Sequence, residues 1–151
     1  MIMLVNRDGN GKQGGAFKQQ HETWRRAYAE AYRVQERFPK VEQLVFDMVF
    51  TDLKKIGRYS PQMRSFSASA KAFFAIACPR TLCLDGGFNL DPILLTMLGT
   101  EATTSIGTLE CHGWVMSTHT ENERCLLQMH YRLQACYDAP EASASNQRAH
   151  V

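Results

Sequence analysis

The sequence predicts an α+β fold: an N-terminal amphipathic helix packed on a small, mostly antiparallel sheet, with a zinc-knuckle-like turn and a long C-terminal hairpin. Three observations predict it. Apolar residues recur at intervals of three and four near the N-terminus, later segments alternate apolar and polar residues, and four of the five cysteines fall between positions 78 and 125. The chain of 151 residues is long enough for one core, and 44% hydrophobic with 21% charged residues is ordinary globular usage. The expected organisation is a flexible leader over residues 1–16, a single zinc-stabilised domain over 17–138 and a flexible tail over 139–151.

From Phe17 to Phe38, Trp24, Ala27, Tyr28, Ala31, Val34 and Phe38 fall on one helical stripe, and Pro39 stops the helix. Trp24 and Tyr28 read as core anchors of that stripe. Leu44, Phe46, Met48 and Phe50 alternate with Val45, Asp47, Val49 and Thr51, which predicts a strand over Val41 to Leu53. Lys54 to Ser67, with Gly57, Ser60-Pro61 and scattered charge, reads as a connecting loop. Ala72 to Ala77 is a short buried strand that runs into Cys78. Leu84-Asp85-Gly86-Gly87 is a turn. Asp91-Pro92 opens a short helix, with Asp91 placed to cap it, and Gly99 closes it. Thr103 to Val115 and Arg124 to Tyr137 then form the two arms of the hairpin, with a polar tip around Ser117 to Asn122. In the second arm Cys125, Leu127, Met129, Tyr131, Leu133, Ala135 and Tyr137 share a face.

The chemistry lies in Cys78-Pro-Arg-Thr-Leu-Cys83, Cys111 and Cys125. Four thiolates suit a structural Zn²⁺ ion, with sulfur about 2.3 Å from the metal. The first pair comes from a tight turn. Cys111 and Cys125 are far apart in sequence, but in a hairpin centred near Thr118 they lie almost opposite one another on a shared face, close enough for one metal. Cys136 faces the other way by strand parity and is read as a small hydrophobe or a spare thiol. His119 is the substitute ligand if the site is a mixed Cys/His one, and ordinary free cysteines are the alternative to any metal. Over residues 72–137 the arrangement loosely resembles a zinc ribbon, in which two ligand pairs sit on neighbouring hairpins. It departs from that pattern because the second pair is split by a long loop, so no family function is carried over.

Other signatures fail on spacing. No glycine-rich phosphate loop is followed by Lys-Ser/Thr. His119-Thr-Glu121 lacks the downstream Pro-Cys-x-x-Cys of zinc deaminases. Adjacent Cys111 and His112 point to opposite sides of a strand, and Asp47 and Asp52 share no face. A zinc-dependent hydrolase with a mixed Cys/His site, using His119, His112 or Glu121, is the alternative function.

Charge supplies the leading one. Residues 1–71 hold 13 Lys and Arg against 7 Asp and Glu, whereas residues 72–151 hold 4 against 8. The expected function is a non-enzymatic interaction module that binds a protein or nucleoprotein, with nucleic acid as a further possible partner. The setting it would suit is a phage- or mobile-element-type regulator or inhibitor. Arg25, Arg26, Arg33 and Arg37 of the helix, with Lys54, Lys55 and Arg58 of the loop, are the expected contact residues. No apolar stretch approaches the length of a membrane span, and the apolar N-terminal pentad is too short for a secretory signal, so the expected location is cytoplasmic.

Overall fold

The computed structural model describes residues 22–53, 57–115 and 123–138. The expected leader and tail, Lys54, Lys55, His119 and Glu121 lie outside the described residues. Both helices and antiparallel sheets are present, as an α+β reading requires. No helix among the described residues is long and apolar enough to cross a membrane.

The main sheet has four antiparallel strands in the order β2-β1-β9-β6, formed by β1 (Val41–Thr51), β2 (Gln62–Ser67), β6 (Thr104–Glu110) and β9 (Gln128–Tyr137). Alternation decides which face is buried. Leu44, Phe46, Met48 and Phe50 of β1 stand opposite Ala135, Leu133, Tyr131 and Met129 of β9, and all eight are buried. The core is completed from one side by Val34, Phe74, Ile76, Phe88, Leu90, Leu94, Met97 and Leu98. Phe46, Phe66 and Phe74 make its aromatic centre, with ring centroids 4.7–5.8 Å apart.

Two smaller sheets carry the rest. β3 (Ala75–Ile76) pairs with β5 (Phe88–Asn89), and β4 (Cys83–Leu84), β7 (Trp114–Val115) and β8 (Glu123–Arg124) form a three-stranded sheet. The expected strand over 72–77 is thus reduced to two residues, although Ala72, Phe74 and Ile76 keep the predicted buried alternation.

The N-terminal helix is not continuous. It is helical over residues 22–30 (α1), breaks at 31–33 and resumes for one turn in α2 (Val34–Arg37). At the break, Arg33 is extended and bridges to Lys71, Ala72 N–H donates to Tyr32 O at 2.7 Å and Val34 N–H donates to Ala70 O at 2.8 Å. Lys71 Nζ donates to Ala29 O and Ala31 O at 3.1 and 3.0 Å. Residues 70–72 therefore take up backbone groups that an unbroken helix would satisfy internally. Of the predicted stripe only Val34 is fully buried. Trp24 and Tyr28 meet Phe73 edge-on at 5.9 and 6.0 Å, and Tyr28 stays 54% exposed, so it is no core anchor.

Three further expectations change. Part of the expected loop over 54–67 is strand β2, an edge strand that buries only Phe66 and is held to β1 by backbone pairing. The helix over Asp91–Gly99 (α3) forms where expected with Pro92 in its first turn, but Leu90 is its N-cap and the Asp91 carboxylate binds Arg37 at 2.9 Å instead of capping. Finally, the long hairpin is interrupted at residues 111–113 and 125–127, which separates β6 and β9 from β7 and β8.

Candidate metal centre

Each interruption of the hairpin carries a cysteine. The pairing on both sides of the break follows one register, with Glu110 opposite Gln128 and Trp114 opposite Arg124. That register sets Cys111 opposite Leu127 and Gly113 opposite Cys125, as their backbone bonds of 2.8 Å show. Cys111 and Cys125 are therefore one diagonal step apart and not directly opposite, which corrects the expected centre of the hairpin. Leu126 adopts a left-handed backbone (φ 52°), an uncommon conformation for a branched side chain, and this breaks the strand between Cys125 and Leu127.

The other two sulfurs come from the turn after β3. Cys78 leaves that strand, Cys83 begins β4, and Cys83 N–H donates to Arg80 O at 3.2 Å to close the turn. The four Sγ atoms of Cys78, Cys83, Cys111 and Cys125 lie within 4.8 Å of one another. Cys83 and Cys111 sulfurs are 3.6 Å apart, and Cys78 and Cys125 sulfurs 3.7 Å. A tetrahedron with metal–sulfur bonds of about 2.3 Å has sulfur–sulfur edges of about 3.8 Å. The cluster is thus within the distances at which four cysteines hold a metal ion. Cys83, Cys111 and Cys125 are buried, Cys78 is partly exposed, and Cys136 is exposed on the outer sheet face, away from the four.

The backbone is fitted closely around the sulfurs. A Cβ on Gly86 would collide with Cys83 Sγ and come 2.7 Å from Cys111 Sγ, and one on Gly113 would meet Cys83 Sγ and the Gly86 Cα. Only glycine permits this approach at both places. Cys111 Sγ accepts N–H bonds from Gly87 at 3.3 Å and Gly113 at 3.4 Å. Backbone N–H groups of Arg80 and Leu127 likewise favour the thiolates of Cys78 and Cys125.

Crowding splits the thiols electrostatically. Cys125 is held far below the ordinary thiol range by hydrogen bonds from the thiols of Cys111, Cys78 and Cys83. Cys78 and Cys83 are pushed far above it, first by Cys111 and then by Cys125. Cys111 comes down to about 7: Cys125 works against its ionisation, and the bonds from Cys78 and Cys83 outweigh that. Without a cation, Cys125 ionises first and Cys111 follows above about 7, while Cys78 and Cys83 must keep their protons. A divalent ion would let all four ionise together.

A buried ion pair stands beside the cluster that sequence reasoning missed. Arg80, inside the Cys78–Cys83 turn, has a side chain 7% exposed, and its Nη2 lies 3.0 Å from Oδ1 of Asp52, which is 2% exposed. Nε and Nη2 lack a well-aligned hydrogen-bond acceptor among the described residues, so the pair is close without being ideally aligned. Gly57 N–H donates to the other Asp52 oxygen at 3.1 Å. Burial works against the Arg80 charge, while Asp52, Cys125 and Tyr59 support it, so a fixed cation lies within the field of the thiolates. The available signal was a charged residue between two cysteines of a turn.

Among the described contact residues, those of the N-terminal segment do not share one continuous helical face. Arg25 and Arg26 are exposed on α1, and Arg58 is exposed. Arg33 donates to Ser69 O, and Arg37 is engaged by both Asp91 oxygens, at 2.9 and 3.4 Å, and lies over the Phe38 ring. Because the helix breaks at 31–33, the face expected from Arg26, Arg33 and Arg37 is not assembled. His112 is exposed and outside the sulfur cluster. No protein-family model matches the chain, and neither does any curated protein or solved structure.

Proposed function

We propose that the chain is a zinc-stabilised interaction module, in which Cys78, Cys83, Cys111 and Cys125 hold one structural Zn²⁺ and the basic N-terminal part meets a macromolecular partner. The observation that carries the zinc reading is the set of four sulfurs drawn from three separate segments to near-tetrahedral spacing. All-thiolate ligation fills the tetrahedron and leaves no position for water or substrate, which favours a structural ion over a hydrolytic one. The metal would tie the turn after β3, the end of β6 and the end of β8, beside the two-residue strands β4, β7 and β8. Cobalt substitution tests the ligand set. Four-sulfur charge-transfer and d–d bands are expected, and bands of mixed sulfur/nitrogen ligation with exchangeable water would return the hydrolase.

For the partner, support comes from exposed residues of α1 and of the break that follows it. Arg25 and Arg26 are exposed there, Tyr28 is 54% exposed and the following Tyr32 67% exposed. Exposed aromatic rings among arginines suit a nucleoprotein surface, where rings stack on bases and guanidinium groups meet phosphates. Binding to single-stranded RNA or DNA would then weaken steeply between about 50 and 200 mM salt. A salt-independent interaction would leave a protein partner on this face.

A further inference from the structure

The main sheet stops on one side at β6, which pairs with β9 along one edge and with no other strand among the described residues. Cys111 N–H donates to Leu127 O at 2.8 Å, and Thr103 O accepts from Ala135 N–H at 2.9 Å. Bonded positions alternate along an antiparallel pair, so the odd-numbered residues of β6 turn their backbone groups toward β9. Thr104, Ile106, Thr108 and Glu110 turn theirs to the open edge. Natural edges are usually blunted by lysine, proline, a bulge or a covering element. Thr104 to Leu109 contains no charged residue and no proline, and Ile106 is 72% exposed, more than any other exposed large hydrophobic residue described. On the core side of this edge, an open groove of about 540 Å³ runs between α3 and the start of β6, lined by Ile93, Thr96, Met97, Ala102, Thr104 and Ser105.

We propose that β6 is a self-association edge, at which a second copy of this chain pairs its own β6 antiparallel and continues the sheet across two molecules. One register uses all four outward residues on both strands. Thr104 faces the copy's Glu110, Ile106 faces the copy's Thr108, and Gly107 sits on the two-fold axis. In this register each Glu110 meets an uncharged threonine, so no like charges oppose one another across the two-fold axis. The two-fold relation makes every contact twice. On the outer face Ile106 gains the Thr108 methyl group. On the core side the copy's Leu109 comes beside Ser105, at the mouth of the uncharged groove, near the partly exposed Ile93 and Ala102. Tyr131 lies across Gly107, where a Cβ would strike its ring, so no side chain stands between the strands at the axis. One added strand pair and a partly filled groove bury less than the roughly 1,200 Å² at the lower end of stable interfaces. The association is therefore reversible.

Sedimentation velocity of the full chain from about 1 to 300 µM tests this, on the micromolar scale expected for so small an interface. The mass should rise from that of the 17.1 kDa chain toward twice that value. Ile106→Lys should weaken association at least tenfold, and Ile106→Val should leave it nearly unchanged. Thr108→Lys repeats the test at a second exposed position, and circular dichroism checks that each variant is folded. A chain that stays monomeric throughout overturns the proposal. So does a dimer that both lysine variants leave intact, because it then uses another surface, and so does a monomer whose β6 edge is taken by a different protein.

Discussion

Arg80 and Asp52 show how one buried ion pair ties the four-cysteine region to the main sheet. Asp52 follows β1 directly, and Arg80 lies inside the Cys78–Cys83 turn, so their contact joins two parts of the fold that share no strand pairing. Removing one member strands the other. Asp52→Ala should cost about 3–5 kcal/mol in urea unfolding, because it leaves the guanidinium buried without its counter-charge. Combining it with Arg80→Met should recover part of that loss, and a double mutant no more stable than Asp52→Ala would contradict the coupling. Gly86 supplies a second residue-level test. Gly86→Ala forces a Cβ onto the Cys83 sulfur and should abolish metal binding, whereas Gly99→Ala, with nothing within 4 Å of its new Cβ, should keep it. The four clustered cysteines were legible in the sequence because cysteine chemistry and strand parity point to the same four residues. The ion pair was not, because nothing in the chain's local pattern brings Asp52 to a turn so far along the sequence.

At the scale of elements, alternation was the reliable signal. β1 and β9 appear where their apolar alternation predicts and α3 where Asp91-Pro92 and Gly99 predict, and the buried residues Cys125, Leu127, Met129, Tyr131, Leu133 and Ala135 are on the face read for the second hairpin arm. The failures have a common cause, which is backbone pairing that side chains do not announce. β2 buries one side chain and is held by the edge of β1, and the N-terminal helix breaks because residues 70–72 compete for its backbone groups. The left-handed Leu126 belongs to the same class, since no turn residue marks it. Leu126→Gly should retain metal binding, because glycine adopts that backbone freely. Leu126→Ile should be about 1–2 kcal/mol less stable than the glycine variant and bind metal more weakly, as a β-branched residue resists a positive φ. Equal metal affinity in the two variants would mean that the break in the strand does not position Cys125.

The whole molecule joins a basic first half to an acidic second half, and four thiolates on one Zn²⁺ would make the second half about two units more negative. This charge has a pH consequence. Cys78 and Cys83 hold their protons above the ordinary thiol value of 9.0, so zinc must displace both near neutral pH, while the depressed Cys125 is already ionised and releases none. Apparent zinc affinity should therefore rise as pH rises, by about a hundredfold per unit for two protons. Below about 7, where Cys111 is also protonated, the dependence should steepen. Competition against a zinc indicator dye across that range reads the slope, and a flat response would exclude thiols as the ligands. The most direct test of the account is metal analysis by native mass spectrometry of protein purified without chelator, paired with thermal unfolding before and after zinc removal. One zinc per chain is predicted, with a melting temperature at least about 10 °C lower once the metal is stripped. Zinc should be lost in each serine variant of Cys78, Cys83, Cys111 and Cys125 and kept in Cys136→Ser. Protein that emerges without metal and melts as a fully cooperative fold, unchanged by added zinc, would contradict the metal centre and the architecture assigned to it.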